Sequence, residues 1–123
     1  MTPYELGKAG EDLAVERLRQ EGMQIIEQRW KDRHLELDIV AFDPTTREMV
    51  FVEVKTRSTG VWGSPEDAID RSKIMRTVRA AHHYLKLHNH NYPSRFDVFA
   101  IYLPASGPTH IDYFKDAFYA PLG

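Results

Sequence analysis

The order of elements along the chain predicts an α/β fold, a mixed β-sheet flanked by helices in the order α-β-β-β-α-β-β. Two observations carry this prediction. The alternating segments His34 to Phe42 and Met49 to Arg57 are joined by Asp43-Pro44-Thr45-Thr46-Arg47-Glu48, a turn composition, so they read as a hairpin. A long helical stretch then separates Arg57 from the apolar run Arg95 to Leu103. That is the length a crossover needs to bring a later strand back parallel to a core strand.

The first helix has clear punctuation. Thr2-Pro3-Tyr4-Glu5 places a threonine at the N-cap, proline at the first helical position and glutamate where it can reach back to the cap. Gly22 is a left-handed stop. Leu6, Gly10, Leu13 and Arg17 share one row, and Gly7, Glu11, Ala14 and Leu18 the next, so Glu11 lies beside the apolar stripe rather than opposite it. Gln24 to Trp30 is the first strand, followed by the hairpin. Ser58 to Gly63 is a loop containing Trp62. Ser64-Pro65-Glu66-Asp67 repeats the capping pattern and predicts a second helix running to about His88. Its apolar row is Ile74, Val78, Ala81 and Leu85, with Met75 alongside. Arg95 to Leu103 is a buried strand, and His110 to Phe114 closes the sheet. No repeat or linker interrupts this order, so residues 1–123 read as a single domain.

Composition excludes several classes of function. With 42% hydrophobic and 28% charged residues the chain is globular rather than disordered. It has no cysteine, which removes disulfides, thiolate metal sites and cysteine nucleophiles. The absence of a signal-like segment or a long apolar run predicts a cytoplasmic protein with no membrane partner. The net charge of −2 excludes a uniformly basic coat, but it conceals a gradient. Residues 1–57 hold twelve acids and nine bases, whereas residues 71–95 hold six bases and no acid.

The hairpin holds the candidate chemistry. Closing it with a four-residue loop, Pro44 to Arg47, sets Asp43 opposite Glu48. Asp38 then falls opposite Glu53, and Glu36 opposite Lys55. Opposed carboxylates repel across a sheet, and a cation between them removes the conflict. Oxygen ligands suit a hard ion such as Mg2+ or Mn2+, and the Val54 carbonyl could add another donor. Lys55 would stand beside the ion, placed to orient a water or to stabilise charge on a phosphate. Glu11 could reach the same site from the first helix. The bland alternative is a solvated sheet face, and a one-residue slip of register would separate these side chains.

Further motifs surround this set. Asp38, then Glu53-Val54-Lys55, resembles the PD-(D/E)XK signature of restriction-endonuclease-like nucleases, with Leu37 where the signature has proline. Gly10-Glu11 with Ala14, Glu36 to Ala41, Val50 to Arg57, Lys73 with Ala81 and Tyr84-Leu85, and Arg95 to Val98 occur in an order that resembles the YraN-like family of small bacterial proteins. The first half is also similar to archaeal Holliday-junction resolvases. The resemblance implies a restriction-endonuclease-like core. It implies Glu11, Asp38 and Glu53 as acidic metal-site positions and Lys55 as the catalytic lysine. It also implies magnesium-dependent phosphodiester hydrolysis as the superfamily's chemistry; with the basic helix, the site residues lead to DNA, branched or structured DNA included, as the expected substrate.

Arg57, Lys73, Arg76 and Arg79 are candidate nucleic-acid contacts, the last two on a helix stripe with His83 and Lys86; an ordinary solvated helix face is the competing reading. Trp62 is a candidate stacking residue or packing anchor. His82, His83, His88 and His90 read as solvated histidines rather than a zinc site. Asp97 either supports the site or pairs with a base. Three functions follow for test: a metal-dependent nuclease, a non-catalytic nucleic-acid-binding module, or an assembly subunit presenting Trp62, Tyr102 and Phe118. A recruiting protein partner fits the low net charge, and a homodimer fits a nuclease that must cut two strands.

Overall fold

The computed structural model describes residues 1–59 and 70–118. Its elements are α1 (Pro3–Gln20), β1 (Gln24–Asp32), β2 (Leu35–Asp43), β3 (Glu48–Arg57), α2 (Arg71–Leu87), β4 (Ser94–Tyr102) and β5 (His110–Phe118). The strands form one sheet in chain order. Every neighbouring pair is antiparallel except β3 and β4, which run parallel, as the α2 crossover requires. The predicted α/β architecture is therefore observed. Trp62 and the predicted cap Ser64-Pro65-Glu66-Asp67 lie outside the described residues.

Local chemistry explains the boundaries. The Thr2 hydroxyl accepts the Glu5 N–H at 3.1 Å, and the Thr2 N–H donates to the Glu5 carboxylate at 2.8 Å, which completes the capping box. At the other end Gly22 sits at φ +89°. Its N–H donates to the Arg19 carbonyl, and that of Met23 to the Leu18 carbonyl, both at 3.0 Å. This is a Schellman stop, and it turns the chain directly into β1. The β2–β3 hairpin closes as predicted, with Asp43 opposite Glu48. Asp43 holds the turn by accepting the N–H groups of Thr45 and Thr46.

Three boundaries differ from the prediction. β1 continues to Asp32 and β2 begins at Leu35, so His34 belongs to the turn, where Arg33 takes φ +58°. α2 begins at Arg71, later than the predicted start, which lies outside the described residues. Asp70 is extended (φ −86°, ψ 171°), and its carboxylate accepts the Lys73 N–H at 2.8 Å, so the helix starts at Arg71. β5 runs on to Phe118 through a bulge at which Asp116 takes φ +52° and donates its N–H to Asp97.

The helices cover opposite faces of the sheet. Ala14, Val15 and Leu18 of α1 pack on Ile39, Ala41, Val50, Val52, Phe99 and Ile101. Val78, Ala80, Ala81 and Tyr84 of α2 pack on Val40, Met49, Phe51 and Phe96. The buried stripe of α2 is rotated from the predicted row: Met75 is exposed, while Thr77 and Tyr84 are buried. Ala80 and Ala81 let the helix lie close to the sheet, and the Tyr84 ring meets Trp30 and Phe51 edge-on. Phe118 is not the exposed patch considered for assembly, since it stacks on Phe96 with centroids 4.9 Å apart.

The α1 face also holds a buried polar knot. Arg95 donates to Asp97 at 3.0 Å and to Asp43 at 2.9 Å, and Glu48 accepts from it at 3.2 Å. The Tyr113 hydroxyl donates to the same Asp97. Burial and the Asp97 carboxylate raise the Tyr113 phenol far above its ordinary range. Asp97 is thus the partner of a base. The knot clips the hairpin turn, β4 and β5 together.

Candidate active site

On β3, Val50, Val52, Val54 and Thr56 face α1, whereas Met49, Phe51, Glu53 and Lys55 face α2. The ladder between β2 and β3 ends at Ile39 opposite Val52. Beyond it the strands part, and the Asp38 carboxylate accepts the Val54 N–H at 2.9 Å in place of a backbone carbonyl. A residue's N–H and C=O leave a strand on the same side, so the Val54 carbonyl faces this gap as well. Asp38 and Glu53 meet here, as the predicted register requires, although at the mouth of a split rather than within the ladder. Glu36 is not opposite Lys55: the ladder has already ended, and Glu36 pairs with Lys31 of β1 at 3.8 Å.

The split opens into a cavity of about 480 Å³, lined by Glu11, Asp38, Glu53, Lys55, Asp70 and Lys73, with Val54 and Arg76 at its walls. Every residue expected at the catalytic or metal site therefore borders one space. Glu53 is 4% exposed. Its Oε1 accepts the Thr77 hydroxyl at 2.8 Å, and its Oε2 lies 3.5 Å from the Lys73 ammonium. Burial first, and then the Asp38 carboxylate against it, push the Glu53 carboxyl up to about 8; Lys73 and Thr77 pull the other way. Burial alone would lower Lys73, but Glu53 and Asp38 outweigh it and hold the ammonium above its ordinary value. Lys55 and Arg76 are exposed and make no ion pair among the described residues.

Glu11 arrives from α1 because Gly10 touches β3. A Cβ on Gly10 would fall 1.8 Å from the Thr56 hydroxyl, so only glycine permits this approach. The Thr56 hydroxyl is buried beneath it with no hydrogen-bond partner among the described residues. Glu11 is drawn to Arg29, whose Nε donates to it at 2.8 Å. Burial raises Glu11 above its ordinary value, and Arg29 offsets part of that. Arg29 takes φ +53° on β1, and its guanidinium lies over the Tyr4 ring.

Sequence reasoning missed Thr77, Asp70 and Arg29. Thr77 had a readable signal, since it lies one turn after Lys73 and on the same side of the helix. Asp70 was readable as an N-cap. Arg29 had none, because its reach depends on a left-handed backbone. Of the proposed nucleic-acid contacts, Lys73 and Arg76 border the cavity, Arg79 lies exposed one turn beyond, and Arg57 is exposed at the end of β3.

A hard divalent ion fits these donors. Among the described residues no three histidine or carboxylate side chains converge to hold a metal by themselves. Magnesium does not need that: it commonly binds through one or two carboxylates and keeps its remaining positions for water and phosphate. Asp38 and Glu53, with the Val54 carbonyl, supply such a set. The histidines do not. His83 pairs with Asp32, and His88 stacks on Tyr84 at 4.1 Å.

No helix among the described residues is long and apolar enough to cross a membrane. The chain is similar to a UPF0102 protein of Bacteroides thetaiotaomicron, 48% identical over 96% of this chain and 95% of the relative. A UPF0102 protein of Bacteroides fragilis is 44% identical over 95% and 94%. One from Porphyromonas gingivalis is 42% identical over 91% and 82%. The family model described as "Uncharacterised protein family UPF0102" matches residues 10–101, a span from Gly10 at the helix–strand contact through the acidic pair to β4. The chain therefore belongs to the UPF0102 family, the YraN-like family its motifs resemble.

Proposed function

We propose that this protein is a metal-dependent nuclease of the PD-(D/E)XK kind, hydrolysing phosphodiester bonds in DNA, with branched or structured DNA among its substrates. The observation that carries this reading is the buried Glu53 carboxylate held against Asp38 where the sheet opens. Setting a buried carboxylate against a half-buried one is costly, and the single Lys73 ammonium balances only part of their charge, which leaves room for a divalent cation. Asp38, Glu53 and the Val54 carbonyl would hold Mg2+ or Mn2+. That ion, when bound, supplies positive charge to a phosphoryl oxygen. Thr77 fixes one oxygen of Glu53, so the carboxylate presents the other to the cavity. Lys55 stands on the same face of β3, two residues on, where its ammonium can donate to an attacking water or a phosphoryl oxygen. Arg76 and Arg79 continue the positive line along α2, which suits a sugar-phosphate backbone leaving the cleft.

The test is cleavage of labelled duplex, single-stranded and four-way-junction DNA in Mg2+ and Mn2+. Asp38→Ala and Glu53→Ala should each lose cleavage, about a hundredfold or more, while remaining folded. Equal cutting by both variants and the parent would exclude the assignment. A second reading is a non-catalytic nucleic-acid-binding module on the same scaffold, favoured by Arg76 and Arg79, which make no ion pair among the described residues. Salt-sensitive DNA binding with no divalent-ion effect on melting temperature would select it.

A further inference from the structure

The two oxygens of Glu53 are held differently. Oε1 takes a hydrogen bond from the buried Thr77 hydroxyl, a neutral donor fixed on the helix. Oε2 faces the Lys73 ammonium at 3.5 Å. Lys73 and Thr77 are four residues apart on α2, so one helix face grips the carboxylate twice. The grips are unequal in mobility. The Thr77 side chain is short, branched and enclosed. The Lys73 side chain is a third exposed and sits on a flexible four-carbon stem in the first helical turn. Its ammonium is attracted by Asp38 and Glu36 as well as Glu53, so it takes up the charge of the acidic group as a whole.

We propose that Lys73 is a built-in counter-ion of the acidic pair, which a divalent cation must displace from Glu53 Oε2, and that this displacement delivers the ammonium to the phosphate of the substrate. The inference rests on the metal-centre reading and adds an order of events to it. A divalent ion and an ammonium brought to the same oxygen repel each other at a few ångströms, so ion binding and the Lys73–Glu53 pair oppose each other. Once released, Lys73 stays on the wall of the cleft that Arg76 and Lys55 also line. Its rotatable stem can turn outward without moving the helix, because Asp70 caps α2 independently of the lysine side chain. Ion binding and phosphate binding are then coupled favourably, each aiding the other. Lysine suits this better than arginine, since a point charge leaves a carboxylate more readily than a two-pronged guanidinium does.

The experiment uses the full chain. Mn2+ binding is measured by calorimetry for the parent and for Lys73→Met, and lysine ammonium NMR signals of the parent are followed during Mg2+ titration. The Lys73 signal is assigned by its loss in Lys73→Gln, which also serves as the second variant if Lys73→Met does not fold. Removing the competing charge should tighten Mn2+ binding about tenfold, the worth of a typical charge-assisted contact. In the parent, the Lys73 signal, sheltered beside Glu53, should vanish into fast solvent exchange as Mg2+ binds. Ion binding by the parent with equal or weaker binding by the variants would overturn the inference alone, as would a Lys73 signal that persists at saturation. No ion binding by any of the proteins would overturn the metal-centre reading and the inference with it.

Discussion

Glu53→Gln should stabilise the protein, and the gain should depend on pH in a defined direction. Burial and Asp38 raise the Glu53 carboxyl in the folded chain from its ordinary 4.5 to about 8. An acid raised by folding favours the folded state fully below its unfolded value, and that advantage is lost as pH climbs through the folded value. The window therefore runs from about 4.5 to about 8. Each pH step inside it costs the folded state about 1.4 kcal/mol, so by pH 7 the loss is on the order of 3 kcal/mol. Glutamine is nearly isosteric, can still accept from Thr77, and its amide N–H can donate to Asp38 as the protonated acid does, without an ionised form to lose that bond. At pH 7 the variant should be more stable than the parent by about 3 kcal/mol, a rise in Tm of roughly 10 °C for a chain of this size, and the gap should still be growing toward pH 8. At pH 5 and below the two should converge. The assay is urea denaturation at intervals from pH 4.5 to 8.5 with EDTA present. The difference between the two proteins cancels the titration of every other group to first order. Parallel profiles, or a difference that shrinks as pH rises, would refute the reasoning.

Two further outcomes follow from the geometry. Gly10→Ala places a Cβ 1.8 Å from the Thr56 hydroxyl, so helix propensity favours the change by about 1 kcal/mol while the clash should cost more, for a net loss of roughly 1–2 kcal/mol by thermal denaturation. Thr56→Ala in the same chain removes the 1.8 Å contact but leaves its Cβ 2.9 Å away, so it should restore part of the loss; no rescue at all would show that the contact is not the cause. Arg95→Leu leaves Asp97 and Asp43 buried without their base and should destabilise by about 3–5 kcal/mol in urea. Because that knot lies on the opposite face of the sheet from Glu53, Mn2+ affinity measured where the variant remains folded should not change.

The parts of the site that were readable lie on single elements or across one tight turn. Glu53 and Lys55 share a face because strands alternate. Asp38 meets Glu53 because Asp43 and the turn after it fix the register, and the observed pairing of Asp43 with Glu48 is the predicted one. The sequence leaves Asp97 open to two roles because it does not say which face of a central strand an acid occupies. The structure turns it toward Arg95 and Tyr113, away from Glu53. The length of β5 was missed for a similar reason: its bulge is stabilised by Asp97, nineteen residues before Asp116.

By itself the sequence determined the element order, the capping at Thr2 and Gly22, the hairpin register and the co-facing acids and lysine. All of these depend on neighbours within a turn or a strand pair, where backbone period and local hydrogen bonds decide the outcome. Only the tertiary structure decided who neutralises whom. Glu11 goes to Arg29, Glu53 is shared between Lys73 and Thr77, and Asp38 takes the Val54 N–H. Such pairings depend on how a helix is rotated over the sheet and where two strands part. Those are settled by the packing of Ala80, Ala81 and Tyr84, and by Gly10 resting on Thr56, rather than by the spacing of charges along the chain.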